Sequence, residues 1–316
     1  MTKRILVTGA TGFVGAHLLQ ALDRTDTQIF GTSFPHEPGP PGLSCASQLC
    51  RLDLRQSTAV AALIREAQPA WVFHLAAVSN VGHSWARRFE TLETNLLGTL
   101  NLLEAVRTHA PEARILFVSS SEVYADPPPN GQGLRETDET RPISPYAFSK
   151  ISGEQLCRFY IEVEGLDIVT SRAFPHSGPG QSPDFVCSDW GRQIALIEKG
   201  DLAPEIRVGN IEVFRDFCDV RDVVLAYISL LERGKRGETY NVSSGTAVSL
   251  KHILERLLSL SPSTVEVLVD PTKLRKTDIV RLQGDNRKLR EATGWQPAVP
   301  LERMLSDLLE FWRGSV

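Results

Sequence analysis

Arg4-Ile5-Leu6-Val7-Thr8-Gly9-Ala10-Thr11-Gly12-Phe13-Val14-Gly15 is an apolar run that meets three glycines spaced by three and continues into a helical pattern, Val14 to Leu22. Strand, glycine turn and helix in that order make a cradle for a diphosphate. Gly9 permits the tight turn, Gly12 lets the backbone approach a pyrophosphate, and Gly15 lets helix and strand pack closely. Thr11, Phe13 and Val14 fall in the same turn and are counted with the cofactor contacts. The diphosphate then lies at the helix N-terminus, where backbone N–H groups are free to donate.

Outward from this turn, the strands Gln28 to Ser33, Leu49 to Leu54, Trp71 to Ala76, Arg114 to Ser120 and Leu166 to Ala173 alternate with amphipathic stretches. Such alternation predicts βαβ units in an α/β fold, a doubly wound parallel sheet of the NAD(P)-binding Rossmann type. The Pro/Gly-rich run Phe34 to Gly42 and the segment Asp126 to Gly133 read as surface loops. Ligands bind at the carboxyl ends of parallel strands, so the second loop is placed to cover a substrate. No Asp or Glu closes the second strand to hold a ribose 2′-hydroxyl, and Thr32 and Ser33 are able to bond a hydroxyl or a phosphate. NADP(H) or NAD(H) is therefore expected, with a lean to NADPH from the missing acid.

The chain has 34 basic and 38 acidic residues among 316, a net charge of −4, which argues against nucleic-acid or membrane partners. There is no signal-peptide pattern and no apolar run of bilayer length, so a cytoplasmic protein is expected. Cys45, Cys50, Cys157, Cys187 and Cys218 are odd in number and lack zinc-site spacing, which predicts reduced thiols and no metal.

Chemistry enters with Ser144-Pro145-Tyr146-Ala147-Phe148-Ser149-Lys150. Tyr146 and Lys150, four apart, share one face of a helix, and an ammonium that close is expected to draw the phenol pKa from about 10 toward neutrality. Tyr146 is thus the candidate acid for a sugar oxygen. The fifth strand runs on through Ser120-Ser121-Glu122, where an extended backbone turns Ser120 and Glu122 to one side and Ser121 to the other. Ser120 is the expected partner of Tyr146 on a developing alkoxide.

Together the Gly-x-x-Gly-x-x-Gly turn and Tyr-x-x-x-Lys resemble the extended short-chain dehydrogenase/reductase superfamily across nearly the whole chain. The resemblance implies cofactor contacts at Asp53, Leu54, Leu75, Ala76, Ala77, Tyr146, Lys150 and Phe174, with Lys150 holding the nicotinamide ribose. It also implies that Asn95, in Asn95-Leu96-Leu97-Gly98-Thr99, supports the active-site helix.

Arg172-Ala173-Phe174-Pro175-His176, Gly209-Asn210 and Arg215-Asp216-Phe217 are similar to the nucleotide-sugar branch. Within it, His83-Ser84-Trp85, Val208-Gly209-Asn210-Ile211-Glu212 and Asp270 to Asp278 resemble the GDP-mannose group of reductases and 4,6-dehydratases. That likeness implies substrate contacts at Ser84, Ser121, Glu122, His176, Arg192, Gly209, Asn210, Arg215, Arg275 and Asp278, with the arginines as fork-shaped donors to a diphosphate. Two departures stand out: Pro175 precedes His176 where the group has Asn, and Phe34 stands where many relatives carry Arg.

The implied reaction is NAD(P)H-dependent reduction at C4 of a GDP-linked 4-keto-6-deoxy-mannose, giving GDP-rhamnose or its C4 epimer. Ser120, Tyr146, Lys150 and Glu122 are the catalytic set. A dehydratase or epimerase on the same scaffold is the alternative; a non-enzymatic dinucleotide sensor would be expected to lose the Tyr/Lys pair. The expected organisation is a cofactor domain over 1–172 plus 217–245 and an interleaved substrate lobe over 173–216 and 246–316, assembled as a homodimer or homotetramer.

Overall fold

Burial makes the opening run a central strand. In a computed structural model describing residues 2–23, 26–35, 48–125, 127, 131–273 and 279–316, Ile5, Leu6 and Val7 are wholly buried. A strand apolar on both sides is stable only where helices cover both faces of its sheet. The chain runs β1 (Lys3–Thr8), α1 (Phe13–Leu22), β2 (Thr27–Ser33), β3 (Gln48–Arg51), α2 (Ser57–Ala67), β4 (Trp71–His74), α3 (Val81–Ala86), α4 (Arg88–Leu92), a π-helical turn (Glu93–Leu97), α5 (Gly98–His109), β5 (Arg114–Ser120), α6 (Pro145–Glu162) and β6 (Asp167–Ala173). It continues through β7 (His176–Ser177), α7 (Val186–Lys199), β8 (Glu205–Val208), β9 (Phe214–Asp216), β10 (Cys218–Asp219), α8 (Val220–Arg233), β11 (Thr239–Val242), β12 (Ala247–Ser249), α9 (Leu250–Ser259), β13 (Glu266–Val269), β14 (Arg281–Leu282), α10 (Arg287–Thr293) and α11 (Leu301–Arg313).

Among the described residues a seven-stranded sheet runs β11-β6-β5-β4-β1-β2-β3, with every neighbouring pair parallel. The expected doubly wound fold is present, and the strand order reverses between β1 and β4, where such sheets open a ligand crevice. Alternation sends Ile5 and Val7 to one face with Leu18, Leu19, Tyr227 and Leu230 of α1 and α8. Leu6 goes to the other face, with Leu63, Leu102, Val106 and Tyr160 of α2, α5 and α6.

Two strands stop earlier than expected. β3 ends at Arg51, because Asp53 Oδ1 accepts the Arg55 backbone N–H at 3.0 Å and turns the chain. β4 ends at His74, where the following residues cross close over the Gly9 turn. The seventh strand, β11, adds to the outer side of β6 and was not among the expected strands.

A second core joins α7, α9 and α11 through Trp190, Ile194, Leu254, Leu305 and Leu308, flanked by the small sheets β12-β9-β14 and β13-β8. The segment 287–295, expected in the lobe, behaves differently: Leu289 and Trp295 pack with Ile5 and Leu230 beneath the large sheet. Trp295 Nε1 donates to the Asp222 carbonyl of α8 at 2.9 Å, which fixes it there. Asp216, fully buried, ties the two parts by accepting from the N–H groups of Ser244, Gly245 and Gly284 at 2.8, 3.0 and 3.1 Å.

Candidate active site

The glycine turn leaves no room for side chains. Gly9 has φ +69°, a left-handed conformation, and a Cβ there would meet the Ala76 backbone at 3.0 Å. At Gly15 a Cβ would lie far inside van der Waals contact with the Gly9 carbonyl oxygen. Gly12 caps α1 with extended backbone and no side-chain cap, so the first N–H groups of the helix are uncommitted to a cap. Beside them the Thr11 hydroxyl is buried and has no hydrogen-bond partner. A close-approach cradle with spare donors fits a dinucleotide diphosphate.

Thr32 is 2% exposed and its Oγ1 accepts the Gly9 N–H at 3.2 Å, so it braces the turn. Ser33, next along β2, is also buried, but its hydroxyl has no partner.

A buried chain of hydrogen bonds runs from the cradle to α6. The Ala76 N–H donates to Thr8 Oγ1 at 3.2 Å, and Thr8 Oγ1 lies 2.8 Å from His74 Nδ1. His74 Nε2 lies 2.9 Å from Thr99 Oγ1, which donates to the Asn95 carbonyl at 2.6 Å. With the Thr99 proton spent on Asn95, Nε2 must carry the imidazole hydrogen and Nδ1 must accept from Thr8. Burial pushes the His74 pKa down to about 3, so the neutral tautomer this chain needs is the stable one.

Asn95 sits in the π-helical turn, a distortion that redirects its side chain. Its amide spans Val78 N–H and C=O at 2.7 and 3.1 Å and donates to Ser149 Oγ at 2.9 Å, between Tyr146 and Lys150.

Helix α6 starts sharply, with Ser144 Oγ accepting the Ala147 N–H at 3.0 Å and Pro145 in the first turn. That start places Tyr146 and Lys150 in the sheet crevice, 8% and 5% exposed. The described chain is not extended after Ser120: residues Ser121–Val123 form a 3₁₀ turn in which the Glu122 N–H donates to Ser120 Oγ at 3.2 Å. Alternation therefore does not set the directions of Ser121 and Glu122. The Ser120 hydroxyl is near enough to the Tyr146 phenol to favour its ionised form, and the Glu122 carboxylate is near enough to oppose that.

The expected fall of the Tyr146 pKa does not occur in this structure. Burial pushes it up to about 12, against the lowering effect of Ser120. Lys150 Nζ donates to the Val118 carbonyl at 2.8 Å and lies 5.9 Å from the Tyr146 ring centre, while burial depresses its own pKa to about 8. An ammonium bonded elsewhere and near its titration point does not offset the loss of water around the phenol. Tyr146 thus holds its proton across neutral pH, the state required of an acid.

The Lys150 shift gives a pH prediction. A depressed lysine is charged below its pKa and neutral above it, so the Lys150 cation is present up to about pH 8 and lost as pH rises further. Turnover should fall on an alkaline limb near pH 8, and in Lys150→Arg, whose guanidinium stays charged, that limb should disappear from the kcat profile. An unchanged limb in the variant would assign it to another group.

Several expected contacts lie elsewhere. Ser84 is fully buried, donating to the Val81 carbonyl at 2.7 Å and accepting the Tyr146 N–H at 3.3 Å, so it positions the tyrosine backbone. Ser121 is 2% exposed. The Phe174 ring is buried with Tyr124, Leu134 and Leu282, leaving only its backbone for a ligand; its carbonyl accepts from His176 Nδ1 at 2.9 Å. His176 stacks on Phe13, ring centres 6.1 Å apart, which joins the lobe to the cradle.

Leu75, Ala76 and Ala77 leave β4 half-buried beside Gly9, while Asp53 is clasped by Arg55 at 2.7 Å and Leu54 is buried against Gly98. Gly209 admits the Lys273 carbonyl where a Cβ would be 2.6 Å away, and Asn210 Oδ1 accepts the Glu212 N–H at 3.1 Å. Arg215 Nη1 donates to the Phe214 and Ile279 carbonyls at 2.8 and 2.7 Å. Arg192 on α7 is half-exposed, with no ion pair or side-chain hydrogen bond among the described residues. Arg275 and Asp278 lie outside the described residues.

Sequence reading missed the Glu154–Arg172 pair. Glu154, one turn past Lys150 on α6, takes Arg172 Nη2 and Nε at 2.8 and 3.0 Å and the Ser119 hydroxyl at 2.5 Å. Its Lys150+4 position was the available signal, but the partner comes from β6.

Known proteins resemble this chain along its length. A family model described as GDP-mannose 4,6 dehydratase matches residues 6–308. A GDP-6-deoxy-D-mannose reductase of Pseudomonas aeruginosa is 35% identical, with 100% of this chain and 99% of that protein covered. The structure of RMD from Pseudomonas aeruginosa in complex with NADPH superposes with a TM-score of 0.88 at 35% identity, covering 100% of each chain. A UDP-glucose 4-epimerase of Thermus thermophilus in complex with NAD gives 0.88 at 29% identity, covering 99% of this chain and 100% of that one. With the family match spanning most of the chain and the cradle, Ser120, Tyr146 and Lys150 in place, the chain belongs to the GDP-mannose 4,6 dehydratase family of nucleotide-sugar enzymes.

Proposed function

We propose that this protein is an NAD(P)H-dependent reductase acting in the cytoplasm at C4 of GDP-4-keto-6-deoxy-D-mannose, giving GDP-D-rhamnose or its C4 epimer. The observation that carries the reading is a buried, protonated Tyr146 near Ser120 beside a dinucleotide cradle, in a chain that aligns end to end with a GDP-6-deoxy-D-mannose reductase. When bound, the nicotinamide cofactor supplies the hydride. Tyr146 gives its proton to the sugar O4, and the Ser120 hydroxyl stabilises the charge developing on that oxygen. Lys150 supplies a positive field from beneath. Arg192 and Arg215 in the lobe are the proposed donors to the GDP diphosphate.

Glu122 near the phenol gives the dehydratase alternative its own support, because elimination needs a base for a C5 proton. A dehydratase returns its hydride within one turnover; a reductase oxidises one cofactor per product. We expect stoichiometric NAD(P)H oxidation with the keto-sugar, competition by GDP rather than UDP, and only a modest loss of rate in Glu122→Gln. Conversion of GDP-mannose to a 4-keto-6-deoxy product without added cofactor would establish the dehydratase instead.

The proposed assembly is a homodimer or homotetramer. Phe148, Phe159 and Val163 follow one face of α6 at 51, 50 and 63% exposure, and Phe89 on the adjoining α4 is 86% exposed. An apolar face of this kind on packed helices suits a second copy.

A further inference from the structure

Between β7 and α7 the chain reads Gly178-Pro179-Gly180-Gln181, a turn that leaves the cofactor domain and enters the substrate lobe. A Cβ on Gly178 would meet Val220 of α8 at 2.8 Å, so the turn is pressed against the cofactor domain. Its lobe end is held by buried bonds. Gln181 Nε2 donates to the His176 carbonyl at 2.9 Å, and Ser177 Oγ donates to Gln181 Oε1 at 2.7 Å. Ser188 of α7 donates to the Gln181 carbonyl at 2.6 Å, and Trp312 of α11 donates to Ser188 Oγ at 3.0 Å.

The other end meets α1 through half-buried groups. His17 Nε2 lies 2.8 Å from the Pro179 carbonyl, which only accepts, so Nε2 carries the hydrogen. Phe13, the first residue of α1, stacks on His176 with ring centres 6.1 Å apart and meets the His17 ring edge-on at 5.6 Å. One hydrogen bond and one ring stack, both partly open to water, hold weakly on their own. Phe13 follows Gly12 in the turn that offers its N–H groups to a diphosphate, and His17 stands one helical turn further along the same face. His176, in the opposite jaw, is one of the expected substrate contacts. The clasp therefore spans the two ligand sites.

We infer that His17 is a positioning residue: by closing the Pro179 turn onto α1 it makes the cofactor and the nucleotide sugar bind cooperatively. This coupling rests on the nucleotide-cofactor and GDP-sugar readings. A diphosphate at the head of α1 orders Phe13 and His17, and a nucleotide sugar in the lobe orders the turn. Whichever ligand arrives second meets a clasp already closed and gives up less conformational freedom than the first. Hydride transfer requires both ligands held in one geometry, which the closed clasp favours.

Calorimetry on the full chain with NADPH and GDP-mannose, a sugar with no ketone to reduce, reads the coupling without turnover. GDP-mannose should bind about tenfold more tightly to protein saturated with NADPH, and NADPH should gain by the same factor from GDP-mannose. In His17→Leu and His17→Ala the factor should fall to about twofold or less, with the affinity for each ligand alone held within about threefold. A merely structural loss would weaken both ligands and leave the factor intact. His17→Gln, whose amide N–H replaces the lost donor, should keep most of it. An unchanged factor in the two apolar variants, or a His17→Gln no better coupled than they are, would overturn the assignment. Independent binding of the two ligands to the wild type would sink the clasp alone, whereas a wild type that binds NADPH but no GDP-mannose would sink the GDP-sugar reading and the coupling with it.

Discussion

Tyr146→Phe should lose about 10²- to 10⁴-fold in turnover, the usual contribution of a positioned general acid. The substitution removes one oxygen and keeps the ring, which is buried in the crevice, so the fold and the cofactor affinity should change little. Because the proton is donated in the transition state, kcat and kcat/KM should fall together rather than KM rising alone. Ser120 keeps its own hydroxyl proton for a hydrogen bond to the sugar oxygen, but an aliphatic alcohol is too weak an acid to transfer that proton in place of the phenol. Steady-state kinetics with the keto-sugar, alongside a cofactor titration, make the measurement. A variant with near wild-type turnover would remove Tyr146 from the acid role.

Glu154→Leu should destabilise the protein by about 3–5 kcal/mol, the effect of leaving one member of a buried ion pair without its partner. Both side chains are below 10% exposure, at 9% for Glu154 and 8% for Arg172, so solvent screens the pair little. The loss reaches further than the pair. Arg172 also donates to the Glu136 carbonyl at 3.1 Å and lies over the Tyr124 ring at 4.7 Å, and Ser119, beside Ser120, loses its acceptor. Replacing both members by apolar residues, Glu154→Leu with Arg172→Met, should recover much of the loss, because no uncompensated charge stays buried. Denaturant titration of the two single variants and the double gives the answer. Additive losses in the double variant would show that packing, and not the stranded charge, sets the cost.

The glycine turn was legible because backbone segments packed this closely tolerate no Cβ at Gly9 and Gly15, and that requirement shows directly as residue identity. The central strands were legible for a similar reason: a sheet covered on both faces needs continuous apolar runs, and β1, β4 and β5 have them. Strand ends were not. β3 and β4 stop where a local Asp53–Arg55 turn and the approach of the Gly9 loop intervene, and neither event alters the hydropathy that the strand reading followed.

The Tyr146–Lys150 pair marked the catalytic helix, yet its electrostatics came out differently. Spacing along a helix says which side chains are neighbours, whereas a pKa is set by how much water every packed element removes. His74, Thr99 and Glu154 were opaque for the same reason: each bonds to a residue at least 18 positions away, 66 for His74–Thr8 and 25 for His74–Thr99. Sequence by itself determined the cradle and the sheet and marked Tyr146 as the candidate donor, since these are local demands on residue type. Only the tertiary structure decided the protonation state of Tyr146, the place of Thr32 and Ser84 in the scaffold, and the pairing of Glu154 with Arg172, because burial, hydrogen-bond competition and long-range packing arise from segments that meet only when the chain has folded.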